Sequence, residues 1–359
     1  MKIACLISSL RLGGAERQLA GLAVTLGATG NDVEVVTYRE GDFYDAFLAS
    51  AGIRRTRIEG GNDLDLIRKL AEHLRSSGTE VVISFMTGAN IKACLAKRIH
   101  PDFRLMVSER NFNVRLLPHD SFRFILYRKY ADKVVCNCHA QEKLLQARCP
   151  ALRGKLLTIT NAVDFGTFCP AETERSPRES ALIVVAARVC GRKNALGLIR
   201  AAGILKKEGR SFRVEWYGTE KEDSYFRKCL RCIRKAGLED YFVMKAASGS
   251  IADVYRNADF FCLPSMYEGT SNSLAEALSC GLPVICSRVS DNPLYVREGV
   301  NGFLFDPSSP ESIALAISKA LDMNGEQWTS FSEESLRTAL RAFSGERFAA
   351  EYSSLIDLQ

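Results

Sequence analysis

Short apolar runs alternate with longer stretches in which apolar residues recur at i, i+3 and i+4, and the alternation extends along nearly the whole chain. In the first half the runs KIACLISS, DVEVVTY, TEVVISF, RLMVSE, KVVCN and KLLTIT read as strands. The segments AERQLAGLAVTLGATG, LDLIRKLAEHLRSSG and ANIKACLAKRI carry helical spacing between them. Several of these helices close on glycine, the residue that takes the left-handed C-cap conformation without a steric penalty. Strands that are apolar throughout, alternating with amphipathic helices, predict a parallel sheet covered on both faces.

The pattern then breaks. NAVDFGTFCPAETERSPRES, residues 161–180, carries two prolines, a run of charges and no periodicity, which marks a linker. After it the alternation resumes with strands ALIVVAA, FRVEWYG, YFVMKAA, DFFCLPS, LPVICS and NGFLF. The helical segments between and after them are NALGLIRAAGILKKEG, DSYFRKCLRCIRKAG, SIADVYRNA and PESIALAISKALD. The expected organisation is an α/β protein of two Rossmann-like, doubly wound parallel-sheet domains. One spans residues 1–165, the linker 166–180, and the second 181–340. A last helix is expected over 341–359. Ligands of open α/β sheets bind beyond the carboxyl ends of the strands, so two such domains are expected to face a shared cleft.

Composition adds limits. The 359 residues exceed one ordinary domain, and 47% hydrophobic with 25% charged residues is a globular balance. No apolar run reaches the roughly 20 residues of a membrane span. The N-terminal MKIACLISSL lacks the small-residue cleavage site of a secretory leader and reads as a first strand, so a cytoplasmic location is expected. The twelve cysteines are dispersed, as expected of reduced core residues in a reducing compartment. Cys229 and Cys232 form a CxxC, but Cys229 falls on the apolar stripe of its helix and no second pair has metal-site spacing. The net charge of +6 is uneven. Residues 1–165 hold 24 Lys and Arg against 17 Asp and Glu, and the remainder 24 against 25. A basic first half points to an acidic partner or an anionic membrane surface, and nucleic acid is not among the expected partners. SFRFILYRKYADK, residues 121–133, interleaves aromatic, aliphatic and basic residues. It suits either a helix lying on a membrane, and hence location at its inner face, or a core helix with a solvated basic edge.

Three segments could carry chemistry. In SSLRLGGAERQLA, Gly13 and Gly14 open a helix whose first turn holds Ala15 and Glu16. Such a turn lets backbone approach a ligand, and helix N-terminal amides favour an anion. The G-x-G-x-x-G of dinucleotide sites is missing, which disfavours a nicotinamide dehydrogenase. In VVAARVCGRKNALGLIRAA, Arg188 and Lys193 flank the turn after a strand, where two cations neutralise an anionic group. Arg192 stands beside them. In LPSMYEGTSNSLAEALSCGLPVICS, Glu268 lies in a loop and Glu276 in a helix. Ser273 and Glu276 fit a capping box, with Ser at N-cap and Glu at N3, and that reading alone accounts for Glu276. It leaves Glu268 and the small polar run Gly269, Thr270, Ser271 and Asn272 unaccounted for. Alternatively the two carboxylates bracket a polyhydroxylated ligand, since carboxylates accept hydrogen bonds from vicinal hydroxyls. Acceptors for two sets of hydroxyls, cations for a diphosphate and a glycine turn together describe a nucleotide-sugar site.

The E-x7-E of EGTSNSLAEALSCGLPV resembles the signature of the retaining glycosyltransferases of family 4, which have the GT-B fold of two Rossmann-like domains. The likeness covers nearly the whole chain: GGAER resembles their N-terminal glycine loop, ITNAVDFGTFCP their interdomain segment, ARVCGRKN their phosphate motif and NGFLF a late motif. The resemblance implies that Glu268 holds hydroxyls of the donor sugar and Glu276 the ribose, that Arg188 and Lys193 bind the diphosphate, and that Gly13, Gly14, Gly218 and 269–272 line the donor site. It implies transfer of a hexose or N-acetylhexosamine from a UDP-sugar, with retention and without a metal or other cofactor, and a final helix, 341–359, that crosses back to the first domain. Given the basic first half, the expected acceptor is a saccharide or lipid-linked saccharide of a cell-surface polysaccharide. The chain departs from the family at MVSERN, where many relatives carry a histidine and this chain has Glu109, Arg110 and Asn111. His139 is either a cleft residue or an exposed helix-start histidine. EWYGTE replaces a glycine-rich turn and leaves only Gly218. Two other functions suit the same fold: a nucleotide-sugar epimerase, and a non-catalytic nucleotide-sugar-binding protein.

Overall fold

Strand β1 (Lys2–Leu6) is sealed from Ile3 onward, and its alternate residues serve two different cores. Ile3 and Cys5 join one cluster, Ala4 and Leu6 another, as the two-residue repeat of a strand with both faces covered requires. In the computed structural model, which describes residues 1–110, 112, 120–172, 179–219 and 222–357, the chain forms two units. Met1–Ala162 and Gly345–Gln359 make the first, and Val163–Ser344 the second.

The first unit adds β2 (Asp32–Thr37), β3 (Arg54–Arg57), β4 (Val81–Phe85), β5 (Arg104–Glu109), β6 (Lys133–Cys136) and β7 (Leu156–Thr158). Its sheet runs β3-β2-β1-β4-β5-β6-β7, with parallel pairing throughout. The helices are α1 (Gly14–Ala28), α2 (Asp45–Ser50), α3 (Asp63–Ser76), α4 (Thr87–Ile99), α5 (Asp120–Tyr130) and α6 (His139–Arg148). Leu19, Leu22 and Leu26 of α1 pack on one face of the sheet. Leu70 and Leu74 of α3, Ala93 of α4 and Tyr127 of α5 pack on the other. The sheet has seven strands rather than the six of the hydrophobic pattern. The extra one, β3, reads Arg-Arg-Thr-Arg and has no apolar residue to announce it. It is held by backbone pairing to β2, by an ion pair of Arg55 with Asp45 at 2.5 Å and by Thr56 Oγ1 donating to Glu34 at 3.0 Å.

The second unit holds β8 (Ala181–Ala186), β9 (Phe212–Thr219), β10 (Phe242–Ala246), β11 (Phe260–Leu263), β12 (Val284–Ser287) and β13 (Gly302–Phe305). They form a parallel sheet in the order β10-β9-β8-β11-β12-β13. Around it lie α7 (Ala195–Lys207), α8 (Ser224–Ala236), α9 (Ile251–Arg256), α10 (Asn272–Ser279), α11 (Asn292–Tyr295), α12 (Pro310–Leu321) and α13 (Gly325–Phe343). Trp216, Leu198 and Ile317 anchor the core on one face, and Phe261, Leu274 and Phe343 the core on the other. Helix α13, which begins with an Asn324–Gln327 capping box, was not anticipated from the periodicity. The final helix, α14 (Gly345–Asp357), belongs to the first unit, where Phe348, Tyr352 and Ile356 join the core beneath α1.

The chain leaves the first unit after Ala162, not 165, because Val163 and Phe168 are core residues of the second. It returns after Ser344, because α13 runs unbroken to Phe343. The charge run of the expected linker falls on 173–178, outside the described residues. Cys229 is sealed in the core, where burial pushes its thiol up to about 12. Among the described residues no helix is long and apolar enough to cross a membrane.

Candidate functional site

Both sheets reverse their strand order next to the first strand of their unit, between β1 and β4 and between β8 and β11. All strands being parallel, the segments leaving β8, β11 and β12 emerge at the same end of the second sheet, beside its switch point, where ligands of such sheets bind. Arg188 and Lys193 follow β8. Glu268 to Glu276 follow β11, and Ser290 follows β12.

The structure brings Lys193 and Glu268 into contact. The Lys193 ammonium pairs with Glu268 Oε1, and Ser265 Oγ donates to the same oxygen at 2.5 Å. The side chains of the pair are 11% and 7% exposed, so the two charges meet largely out of water. The loop behind them is fixed by backbone: the Met266 N–H donates to Arg192 O at 2.8 Å, and the Glu268 N–H to Ser290 Oγ at 3.3 Å. Arg188, by contrast, is exposed, and among the described residues its guanidinium has no ion pair.

Glycine at 218 has a local cause. Its φ is +130°, and a Cβ there would stand 2.3 Å from Ala187 O and 3.2 Å from Arg188 N. A side chain at 218 would therefore push against the backbone that presents Arg188. This packing is by itself sufficient to require glycine at 218.

Glu276 does not cap a helix. Helix α10 starts at Asn272 with Ser271 as N-cap, and the Ser271 side chain makes no capping bond. Glu276 is therefore the fifth helical residue, beyond the reach of a capping box. It is buried and receives the Tyr255 hydroxyl at 3.4 Å. Thr270 and Ser271 are buried as well, with Gly269 and Asn272 half-buried. The start of α10 thus presents small polar residues and backbone amides at the end of β11.

In the first unit, Gly13 is the N-cap of α1 and Gly14 its first residue. Tyr44 Oη donates to Gly13 O at 3.3 Å, which ties the glycine turn to the segment after β2. The Gly13 φ of −173° is ordinary extended backbone. Glu109 and Arg110, at the end of β5, point to different networks. Glu109 accepts the Tyr127 hydroxyl at 2.7 Å and faces Arg123 at 3.4 Å. Burial and the Glu109 charge push the Tyr127 phenol well above its usual value. Arg110 lies over the Phe85 ring at 4.5 Å and donates to Asn161 Oδ1 at 2.5 Å. Burial lowers its guanidinium from the usual value. Asn111 lies outside the described residues, and His139 is the exposed first residue of α6. Among the described residues no three His, Cys, Asp or Glu side chains cluster as metal ligands do.

Three residues of this site escaped the sequence reading. Ser265 and Ser290 have no pattern of their own, and Tyr255 reads as an ordinary core aromatic of α9. The proline-serine step three residues before Glu268 was the one available signal.

Two family models match the chain: Glycosyltransferase Family 4 over residues 12–166 and Glycosyl transferases group 1 over residues 171–337. A D-inositol 3-phosphate glycosyltransferase of Actinosynnema mirum is 28% identical over 203 residues, which is 53% of this chain and 49% of that protein. The chain thus spans about half the length of that relative. A probable sucrose-phosphate synthase of Thermosipho melanesiensis is 23% identical over 392 residues, 96% of this chain and 90% of its own length. Among solved structures, Anabaena HepE in complex with UDP superimposes with a TM-score of 0.85 at 18% identity, covering 99% of each chain.

Proposed function

Because the chain is a glycosyltransferase of the GT-B type, with a family 4 first half and a group 1 second half, we propose that it is a retaining transferase. It moves a hexose or N-acetylhexosamine from a UDP-sugar to a saccharide or lipid-linked saccharide, in the assembly of a cell-surface polysaccharide. The observation that carries the donor reading is the contact of Lys193 with Glu268 at the switch point of the second sheet, beside an exposed Arg188. HepE, of the same fold, forms complexes with UDP and with UDP-glucose.

In this mechanism Arg188 and the two remaining N–H groups of Lys193 hold the diphosphate and stabilise the charge that builds on it as the glycosidic bond breaks. These cations meet the leaving group without a metal ion. Glu268 accepts a hydroxyl of the donor sugar through Oε2, which makes no protein hydrogen bond among the described residues while Oε1 takes those of Lys193 and Ser265. Glu276, oriented by Tyr255, accepts from the ribose. The acceptor hydroxyl attacks from the face that the diphosphate leaves and gives its proton to the departing phosphate oxygen, so the anomeric configuration is kept.

The membrane part of the reading rests on α5. Phe124, Leu126 and Tyr127 are buried, while Phe122 and Ile125 are 56% and 63% exposed, next to exposed Arg128 and Lys129. The helix therefore serves the core with one face and offers apolar and basic groups on the other, the combination that binds an anionic interface.

A screen of nucleotide sugars, read by mass spectrometry for slow donor hydrolysis, tests the proposal without an acceptor. UDP-sugars are expected to be cleaved, and Glu268→Ala or Arg188→Ala to abolish cleavage. Conversion to an isomeric nucleotide sugar would reveal an epimerase instead. Binding without turnover against a broad acceptor panel would reveal a binding protein.

A further inference from the structure

Among the described residues three non-glycine residues have a positive φ: Met86 at +78°, Asn194 at +59° and Ser290 at +48°. All three lie in the segments that follow strands: Met86 directly after β4, Ser290 three residues after β12, and Asn194 at the N-cap of α7, the helix that follows β8. Side chains other than glycine are disfavoured there, and such residues persist where the surroundings hold them and often where function depends on it. Two of the three adjoin the ion pair. Asn194 follows Lys193 and is fixed by Nδ2 donating to Pro307 O at 2.8 Å. Ser290 reaches Glu268 directly, its Oγ accepting the Glu268 N–H at 3.3 Å.

The carboxylate end of Glu268 is held too. Ser265 is fully buried, and its hydroxyl donates to Oε1 at 2.5 Å. Lys193 pairs with the same oxygen. Glu268 is thus fastened at its amide by Ser290 and at one carboxylate oxygen by Ser265. Its other oxygen is left without a hydrogen bond among the described residues, and it is not sealed off either.

We propose that Ser265 and Ser290 are positioning residues of the transferase: they clamp Glu268 so that Oε2 alone faces the donor sugar, which it accepts through one oxygen. The proposal rests on the donor-site reading above. Ser290 keeps an unfavourable backbone conformation because its hydroxyl is needed to hold the Glu268 loop, and glycine would relieve that conformation without supplying the hydroxyl. Stability and activity should therefore move in opposite directions at this position, which a merely structural role would not produce.

The test uses the full chain and the variants Ser290→Gly, Ser290→Ala, Ser265→Ala and Ser265→Thr. Thermal unfolding, donor hydrolysis with kcat and KM separated, and amide hydrogen exchange over 266–272 are measured for each. Ser290→Gly is expected to melt no lower than the parent, yet to lose about tenfold in kcat, the upper end for a lost hydrogen bond between neutral groups. The Glu268 amide should exchange faster in both Ser290 variants. Ser265→Ala should lose a similar factor, and Ser265→Thr should recover to within about threefold of the parent, with KM little changed in each. Unchanged kcat in Ser290→Gly, or a loss that follows the melting temperature, overturns the proposal. So does unaltered exchange at Glu268, which is read without any donor. If the parent hydrolyses no nucleotide sugar, the donor-site reading fails, while the exchange measurement still decides whether Ser290 clamps the loop.

Discussion

The contact of Lys193 with Glu268 makes a quantitative prediction. The pair is 11% and 7% exposed, so the discount for a solvated surface pair does not apply. At an effective dielectric constant of about 20, two unit charges about 4 Å apart attract by about 4 kcal/mol. Removing one partner of a buried pair typically costs about 3–5 kcal/mol, because the other charge is left uncompensated. Ser265 still donates to Glu268 when the lysine is gone, so Lys193→Met should fall near the low end, about 3 kcal/mol. Glu268→Gln keeps an amide oxygen for both donors and should cost less, about 1–2 kcal/mol. The double variant removes both charges, so the two single costs should exceed the double cost by about 1.5–3 kcal/mol. The assay follows from the composition. The chain has two tryptophans, and both, Trp216 and Trp328, lie in the core of the second unit. Intrinsic fluorescence during urea unfolding therefore reports the unit that contains the pair. A coupling energy below about 0.5 kcal/mol would mean that the contact contributes nothing native, and the donor-site geometry would have to be redrawn.

Gly218→Ala should destabilise the second unit by about 2–4 kcal/mol, since the added Cβ meets Ala187 O at 2.3 Å with φ at +130°; an unshifted tryptophan transition would refute it. Phe122→Ser with Ile125→Ser should weaken sedimentation with anionic liposomes by at least tenfold, as each exposed side chain contributes about 1–2 kcal/mol on burial; equal binding would remove α5 from the membrane reading. Burial raises the Glu34 carboxyl, but the hydrogen bond and charge of His73, the Thr56 hydroxyl and the Arg54 charge outweigh it, and its pKa lies below the usual value. A depressed carboxylate stabilises the fold above its unfolded value of about 4.3 and loses that contribution as pH falls through the folded value. His73→Ala should therefore move acid opening of β2, followed by hydrogen exchange over residues 32–37, to higher pH.

What could be read from the residues, and what could not, divides along one physical line. Strands buried on both faces write continuous apolar runs, so all six strands of the second sheet and six of the seven in the first stand out. Strand β3 does not, because an edge strand held by ion pairs needs no apolar residue. The return of the last helix to the first unit leaves no mark in its own residues, since Phe348, Tyr352 and Ile356 make an apolar stripe that would suit either core, and the switch from β1 to β4 cannot be seen in any local window. The site follows the same division. Glu268, Arg188 and Lys193 attract notice as a carboxylate and two cations in segments that follow buried strands. Their supports do not, because serine is common in every loop and a backbone angle leaves no mark in a sequence unless glycine supplies it. Glu276 is the instructive case: Ser273 and Glu276 have the spacing of a capping box, yet α10 begins one residue before Ser273. With Ser271 rather than Ser273 as N-cap, a two-residue shift carries the carboxylate from the third helical position to the fifth. There Tyr255, far away in sequence, gives it a buried hydrogen bond. A local pattern fixes which residues can pair, but whether Glu276 can cap depends on where the helix starts, and Leu274 and Ala275 hold that start in the core.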